Sequence, residues 1–478
     1  MLEYIDDTKV FEYFEEISRI PRGSGNNKKI SEYLVNFAKE HGLKVKQDSC
    51  ENVIIWEKAS EGQEDKPGVI MQGHMDMVCE KETEVNHDFT KEPLELQQEG
   101  DFIFAKGTTL GGDDGIALAY GLAILDDDTI VHPALEMVFT TDEETGMDGA
   151  IGLDTSVLEG KYMINIDSEE EGVLLTSCAG GMSVNGVFTE KKQEKTGDIL
   201  SLTISGLKGG HSGTEIEKNR ENATLLAMRI LNSLKTNQVP FSLISVEGGN
   251  KDNAIPRETT VEIMVENKNE VSEKIDEISN WINKEIQFQE PGLQIEQHWR
   301  EKEKAQVFTE EFTKKILFFF THVPNGVQKM SSAIEGLVES SLNLGICHTK
   351  DDEIFVSFSL RSSLQTYKEY MCGQLKELIE YLGGTFQKKS EYPAWEYRAD
   401  SKLREVMKKV YVEQYGEEPK IEAIHAGLVC GILSGKKPEL DIVSMGPDIL
   451  DIHTPKERLS ISSTQRVYRY LLEVLKNL

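Results

Sequence analysis

The chain has 478 residues, room for roughly three domains at about 150 residues each. Its 83 acidic residues outnumber 52 basic ones for a net charge of -31, and a surface this acidic repels a polyphosphate, which excludes nucleic acid as a partner. No apolar run approaches ~18 residues, so no membrane span is expected. Residues 1–7 lack a basic or apolar region, so no secretory signal is expected, and the six scattered cysteines suit reduced thiols in the cytoplasm.

From about Asp7 to His41, apolar residues recur at helical spacing: Val10, Tyr13, Phe14 and Ile17, then Ile30, Tyr33, Leu34 and Phe37. This predicts two helices parted by Arg22-Gly23-Ser24-Gly25, the second stopped at Gly42. A short strand is expected over 53–56. Behind Lys66-Pro67-Gly68, the run Val69-Ile70-Met71-Gln72-Gly73-His74-Met75-Asp76-Met77-Val78 opens as a buried strand. His74 and Asp76 stand two apart at its carboxyl end, where a period of two sends both to one face and open α/β sheets bind ligands. An imidazole beside a carboxylate suits a metal ligand with its orienting partner. Taken alone, the pair reads more simply as a surface contact.

The glycine-rich loop 107–115 leads into an apolar run over 116–125, predicted as a helix buried on most faces. Asp113 and Asp114 sit at its amino end, where the helix dipole favours negative charge. Capping explains one of them, but not the glycines clearing space around both. A strand over 135–141 runs into Asp142-Glu143-Glu144-Thr145-Gly146, and another over 162–166 runs into Asp167-Ser168-Glu169-Glu170-Glu171-Gly172. Three apolar strands ending in acidic residues, with helices between, outline an α/β domain: a doubly wound, mostly parallel sheet with an acidic pocket at one edge.

The texture then changes to strand, helix, strand, strand, helix over 199–205, 221–234, 242–246, 259–265 and 271–286. A similar order recurs over 293–298, 310–320, 341–347, 353–360 and 367–382, with a hairpin turn at 349–352. This predicts an inserted α+β lid domain of two similar lobes over 185–390, between catalytic-domain parts 1–184 and 391–478. The α/β pattern returns with helices over 403–415 and 463–475 flanking strands at 421–425 and 441–446.

The strand-end residues with ligand chemistry are His74, Asp76, Asp113, Glu143, Glu144 and Asp167, joined by His453 in Asp451-Ile452-His453-Thr454-Pro455. Two carboxylates ~4 Å apart repel by about 4 kcal/mol at an effective dielectric of 20. If gathered, such a cluster must protonate, spread apart or bind cations. Imidazoles among carboxylates point to zinc-like ions, because calcium and magnesium prefer all-oxygen shells. One ion leaves ligands unused, whereas two ions ~3.5–4 Å apart, bridged by one carboxylate, use them all.

The motifs Gly73-His74-Met75-Asp76-Met77-Val78, Leu110-Gly111-Gly112-Asp113-Asp114-Gly115, Asp142-Glu143-Glu144-Thr145-Gly146 and Ile166-Asp167-Ser168-Glu169-Glu170-Glu171-Gly172 resemble the aminoacylase and glutamate-carboxypeptidase superfamily of dinuclear zinc peptidases. Within it the likeness is to the cytosolic non-specific, or aminoacyl-histidine, dipeptidases. His87-Asp88-Phe89-Thr90, Cys178-Ala179-Gly180-Gly181, Gly209-Gly210-His211-Ser212-Gly213, Asn253-Ala254-Ile255-Pro256-Arg257, Pro324-Asn325-Gly326-Val327 and His425-Ala426-Gly427-Leu428 extend it from end to end.

The resemblance implies two divalent ions, zinc with manganese or cobalt possible, bridged by Asp113. His74 and Asp167 would complete one site, and Glu144 and His453 the other. Glu143 would be the general base and Asp76 would orient His74. Neighbours in an extended segment diverge, which would let Glu144 face metal and Glu143 face water. A cis peptide between Asp113 and Asp114 is also implied. His211, by itself an exposed loop histidine, would stabilise the oxyanion. Arg361, by itself a solvated strand-end arginine, would hold the substrate carboxylate, and Asn253 would add a polar contact. The implied substrates are small unblocked dipeptides, including Xaa-His, and the insert would let one chain supply its own His211, as a monomer or homodimer. The family pattern places glutamate where this chain has Val429, which bears on recognition of the substrate amine. Rival readings are a related aminoacylase or tripeptidase, or a non-catalytic binding protein on the same fold. Ser212 beside His211 does not make a serine hydrolase, since adjacent residues seldom act as nucleophile and base.

Overall fold

The computed structural model describes residues 9–478, so the reading of residues 1–7 and the expected helix start at Asp7 lie outside the described residues. Helices Lys9–Ser18 and Lys28–Glu40 follow, and Gly42, at φ 71°, closes the second by donating to Lys39 O at 3.2 Å.

The chain divides into two units. The first takes the chain through Cys178 with Trp395–Ala423 and Leu428–Leu478, and the second takes Ala179–Ala394 and Ile424–Gly427. The second therefore begins ahead of residue 185 and includes His425. Pairing is the reason. Strand Gly180–Thr189 lies between Glu353–Ser362 and Thr385–Tyr392, and Ala179 N donates to Ile424 O at 3.1 Å.

The first unit holds an eight-stranded sheet in the order Lys44–Gln47, Val53–Glu57, Leu135–Thr140, Val69–His74, Tyr162–Asn165, Asp441–Ser444, Val173–Cys178, Lys420–Ile424. The four strands from Leu135–Thr140 to Asp441–Ser444 run parallel. The pairs outside them, at Val53–Glu57 and at Val173–Cys178, are antiparallel, so this α/β sheet is mixed with a parallel centre. Parallel strands covered on both faces must be apolar along their length. All six residues of Val69–His74 and of Leu135–Thr140 are buried accordingly.

Helix Gly112–Leu125 is buried at every residue. Asp113 and Asp114 have non-helical dihedrals and the peptide between them is cis, as the resemblance implies. The two aspartates thus stand ahead of the regular helix, not in its first turn. Gly73 lets the helix approach the strand, since a Cβ there would lie 2.3 Å from Ala117 Cβ and 2.6 Å from Asp114 Oδ2. A four-stranded antiparallel sheet of Leu96–Glu99, Phe102–Ala105, Arg458–Ser460 and Ile449–Leu450 carries His453 in the turn between its last two members.

The second unit is a nine-stranded sheet in the order Gln294–Val307, Gln193–Ser205, Thr259–Val265, Phe241–Gly248, Val338–Lys350, Glu353–Ser362, Gly180–Thr189, Thr385–Tyr392, with Gly326–Met330 also on Val338–Lys350. Every one of these pairings is antiparallel. Leu200, Leu202 and Ile204 alternate toward a core shared with helices Ala223–Thr236, Lys268–Ile286, Glu310–His322 and Gln365–Tyr381. The sheet is narrowest in its middle, where Glu247 pairs with His348 and Gly248 with Cys347. The edge strand Gln294–Val307 is mostly exposed and rich in charge, which discourages further pairing.

Packing predicts opposite effects at two glycines. Gly73→Ala is expected to cost about 1–3 kcal/mol by overpacking. Gly373→Ala, in helix Gln365–Tyr381 with nothing within 4 Å of its added Cβ, is expected to gain about 0.5–1 kcal/mol. Urea unfolding of the two variants checks both signs.

Candidate metal centre

The carboxyl ends of the parallel strands carry the site. His74 ends Val69–His74 and is buried, with Nε2 3.0 Å from Asp113 Oδ1 and 3.5 Å from Asp167 Oδ1. Its Nδ1 lies 3.1 Å from the Asp76 carbonyl and 3.4 Å from Asp76 Oδ1. His453, with a side chain 47% exposed, sets Nε2 3.1 Å from both Asp113 Oδ2 and Glu144 Oε1. The two oxygens of one carboxylate, Asp113, therefore face two different imidazoles.

Asp76 does more than meet His74. Its carboxylate accepts from Ser24 Oγ at 2.8 Å, Glu143 N at 3.1 Å and Glu144 N at 3.4 Å, tying the imidazole to the Glu143–Glu144 turn. That turn is not extended, as the sequence suggested. Asp142 is left-handed at φ 55°, and Glu143–Gly146 forms one helical turn, so the two glutamates diverge by the ~100° step between successive helical residues. Asp142 Oδ1 accepts from Gly25 N and Asn27 Nδ2, both at 2.7 Å.

Burial opposes charge throughout the cluster, and hydrogen bonds decide which groups keep it. His74 is disfavoured by burial, yet Asp113, Asp167 and Asp76 together push its pKa well above the ordinary value. Hydrogen bonds to Asp113 and Glu144 raise His453 to about 10. Burial also works against Asp113, but His453 and His74 hold it below the usual carboxylate range. Burial, then the charge of Asp167, pushes Glu143 up to about 8 and raises Asp114. Asp167 is raised by burial and by Asp113.

This donor set fits divalent ions. Each imidazole Nε2 faces two carboxylate oxygens but has at most one proton to give. Glu144 Oε1 is buried and competes with Asp113 Oδ2 for the single hydrogen at His453 Nε2. Among the described residues, His74, Asp113 and Glu144 form one group with ligand atoms within 4.8 Å, and His74, Asp114 and Asp167 form another. Asp114 already uses Oδ2 to accept from His74 N at 3.0 Å, which leaves Asp167 the freer member.

In the second unit, His211 pairs with Ala254 across short strands, and Ser212 N donates to Asn253 O at 2.9 Å. His211 Nδ1 accepts from Gly213 N at 3.3 Å and Thr214 N at 3.1 Å, which puts the ring proton on Nε2. Burial and the charge of Arg361 lower its pKa, so the ring is neutral. Arg361, buried in Glu353–Ser362, donates through Nη1 to the Tyr392 hydroxyl at 3.1 Å. His425 Nε2 lies 2.7 Å from Ser341 Oγ, and burial with the Arg361 charge lowers it to about 3. Gly213 is the centre of this group: a Cβ on it would lie 2.8 Å from His425 O, 2.9 Å from His211 Cε1 and 3.1 Å from Arg361 Cζ.

The sequence pattern of peptidase family M20/M25/M40 matches residues 70–477. The chain is 34% identical to the cytosol non-specific dipeptidase of Escherichia coli (strain K12), over 100% of this chain and 99% of that protein. The chain belongs to peptidase family M20/M25/M40. A crystal structure of aminoacylhistidine dipeptidase from Vibrio alginolyticus superposes with a TM-score of 0.92 at 34% identity, over 98% of this chain and 96% of that one. A tripeptidase from Staphylococcus aureus, at 16% identity, TM-score 0.55 and 98% and 97% coverage, shares the fold.

Within this peptidase, sequence reasoning passed over Ser24, Asp142, Tyr392 and the bonds that Asp114 and His425 make. Arg22-Gly23-Ser24-Gly25 reads as a plain interhelical turn, and no spacing links Ser24 to Asp76 or Tyr392 to Arg361.

Carboxyls and imidazoles held above their unfolded values bind protons more tightly in the folded state, so they lose stability as pH rises; Asp113, held low, is fully ionised across the neutral range. Chelator-treated protein is therefore expected to show a melting temperature that falls from about pH 5 to about pH 8, with added zinc restoring more at the upper end. Thermal denaturation in matched buffers reads this directly; a flat or rising profile for the stripped protein would count against the charge assignment.

Proposed function

We propose that this peptidase is a dinuclear metallo-dipeptidase that hydrolyses unblocked dipeptides of broad side-chain preference, including Xaa-His. The supporting observation is the Asp113 carboxylate, with one oxygen 3.0 Å from His74 Nε2 and the other 3.1 Å from His453 Nε2. Full-length identity to a protein named a cytosol non-specific dipeptidase supports both the substrate class and a cytoplasmic location. Asp113 would bridge the ions, with His74 and Asp167 holding one and Glu144 and His453 the other; zinc suits the mixed nitrogen and oxygen donors, and manganese or cobalt are alternatives.

Bound there, the ions supply Lewis acidity that polarises the scissile carbonyl and acidifies water. Glu143 takes the proton from the attacking water at its carboxylate and later passes it to the leaving amine. Asp76 keeps His74 oriented and, through the amides of Glu143 and Glu144, keeps the base in its turn. His211, neutral with its proton on Nε2, donates to the oxyanion of the tetrahedral intermediate. Arg361 takes the substrate's free carboxylate as a charge-assisted pair, steadied by the Tyr392 hydroxyl, and Asn253 adds a polar contact. Anchoring that carboxylate favours dipeptides over longer peptides. Val429 is buried at the start of helix Val429–Lys436, so this position offers no charge to the substrate amine. His211 comes from the same chain, in a monomer or a homodimer.

Metal analysis of the purified protein beside a panel of dipeptides, tripeptides and N-acetyl amino acids tests the proposal. Two ions and turnover of dipeptides are expected; preference for tripeptides or N-acetyl amino acids would redirect it within the family. Glu143→Gln is expected to lower kcat by about 10²–10⁴-fold while both ions stay bound. Arg361→Ala is expected to raise KM for dipeptides by roughly 10–100-fold, the worth of a charged hydrogen bond, and the parent enzyme should process a carboxyl-amidated dipeptide poorly. Equal turnover of the amide and the free acid would remove Arg361 from that role.

A further inference from the structure

The turn that delivers Asp113 is gripped from both sides by buried charge. On its N–H side lies the Glu457 carboxylate, 2% exposed. Its Oε2 accepts from Leu110 N at 2.8 Å and Gly111 N at 3.0 Å, and its Oε1 from Gly112 N at 2.7 Å and more weakly from Asp113 N at 3.4 Å. On the C=O side lies Arg22, equally buried. Its Nη2 donates to Gly111 O at 2.5 Å, and its Nη1 to Met75 O at 3.1 Å and Asp76 O at 3.2 Å.

Gly111 makes this possible. It turns at φ 67°, and a Cβ on it would lie 2.6 Å from Arg22 Nη2 and 2.8 Å from Met77 Sδ. The turn can then show its amides to one charge and a carbonyl to the other. Glu457 follows His453 by four residues in the turn between Ile449–Leu450 and Arg458–Ser460, and Arg22 bonds the carbonyls just after His74. The segments carrying His74, Asp113 and His453 are thus joined in series through two side chains. Removing a carboxylate from water costs several kcal/mol, and apolar packing usually anchors a loop as well or better. A charge retained here points to a demand for position.

We propose that Glu457 is a positioning residue that holds Asp113 with its two oxygens toward His74 and His453, with Arg22 bracing the same turn from its other face. The proposal rests on the dinuclear reading of that site.

Glu457→Gln keeps the size of the side chain but turns an amide NH2 toward N–H groups that now meet a carboxylate oxygen. Metal-stripped parent and variant would be titrated with zinc(II) and cobalt(II), alongside circular dichroism and metal-free melting. The folded variant is expected to bind ions about 10–100-fold more weakly than the parent. Its cobalt absorption bands should shift, and kcat should fall while KM changes less than about twofold, with excess zinc restoring part of kcat. Glu457→Asp, which keeps the charge at shorter reach, should fall between the two. Parent-like ion affinity and cobalt spectrum in Glu457→Gln overturn the proposal even if metal-free melting drops, because that pattern belongs to a plain structural anchor. If the glutamine variant does not fold, the aspartate variant is read by the same criteria. A parent that binds one ion overturns the dinuclear reading instead, and the ratio of affinities for that ion still decides the role of Glu457.

Discussion

Carboxylate oxygen outnumbers imidazole hydrogen around Asp113, and the α/β unit is arranged to hold that imbalance. Asp113 and Asp167 share His74 Nε2, and Asp113 and Glu144 share His453 Nε2. A protonated imidazole offers one hydrogen at that nitrogen, so at each ring one oxygen goes without. In the protein alone the difference is met by protons: Asp113 stays ionised between two imidazoles while Asp114, Asp167 and Glu143 are driven toward their neutral forms. Divalent cations meet the same imbalance without protons, which is why proton and metal occupancy are alternatives in a site of this kind.

Such a cluster repels itself and must be held by structure that does not yield. Strands Val69–His74 and Leu135–Thr140 are buried along their whole length, and Val69–His74 is paired in parallel on both sides. The helix behind Asp113 is buried at all fourteen residues, and its start packs so close to Gly73 of the central strand that no Cβ fits between them. Close packing of this kind resists displacement because any shift opens a void or forces a clash. The supporting hydrogen bonds follow the same logic. Asp76 reaches the amides of Glu143 and Glu144, and Asp114 the amide of His74, so these two carboxylates are committed to backbone.

The fold and the membership of the cluster were legible because both rest on local pattern. Apolar runs that end in His74, Glu143 or Asp167 declare a strand and its chemistry within ten residues, and a change in the order of strands and helices marks the α+β insert. The unread features depend on partners far along the chain. Ser24 meets Asp76 across 52 positions, and Glu457 meets Gly111 across 346. Nothing in Arg22-Gly23-Ser24-Gly25 announces that it will brace a site. The Glu143–Glu144 turn was misread as extended for a different reason. The acidic run follows a strand without an apolar period of its own, and the left-handed Asp142 that ends the extension is held by Gly25 and Asn27, again remote in sequence.

The histidines show how neighbours assign opposite work to one side-chain type. His74 and His453 lie among carboxylates and are pushed up, the setting of a nitrogen that exchanges a proton for a cation when one is present. His211 and His425 lie beside Arg361 and are pushed down. For His211 the backbone settles the tautomer as well, since Gly213 N and Thr214 N both point at Nδ1 and leave the proton on Nε2. A neutral donor of fixed tautomer suits developing negative charge, the role proposed for His211, and it needs no proton from solvent to be ready. Burial, aided by the Arg361 charge, keeps His211 neutral, and that guanidinium is the group proposed to take the substrate carboxylate. Under that proposal, binding the carboxylate would offset part of the Arg361 charge felt by His211, and the two proposed roles would be coupled through one residue.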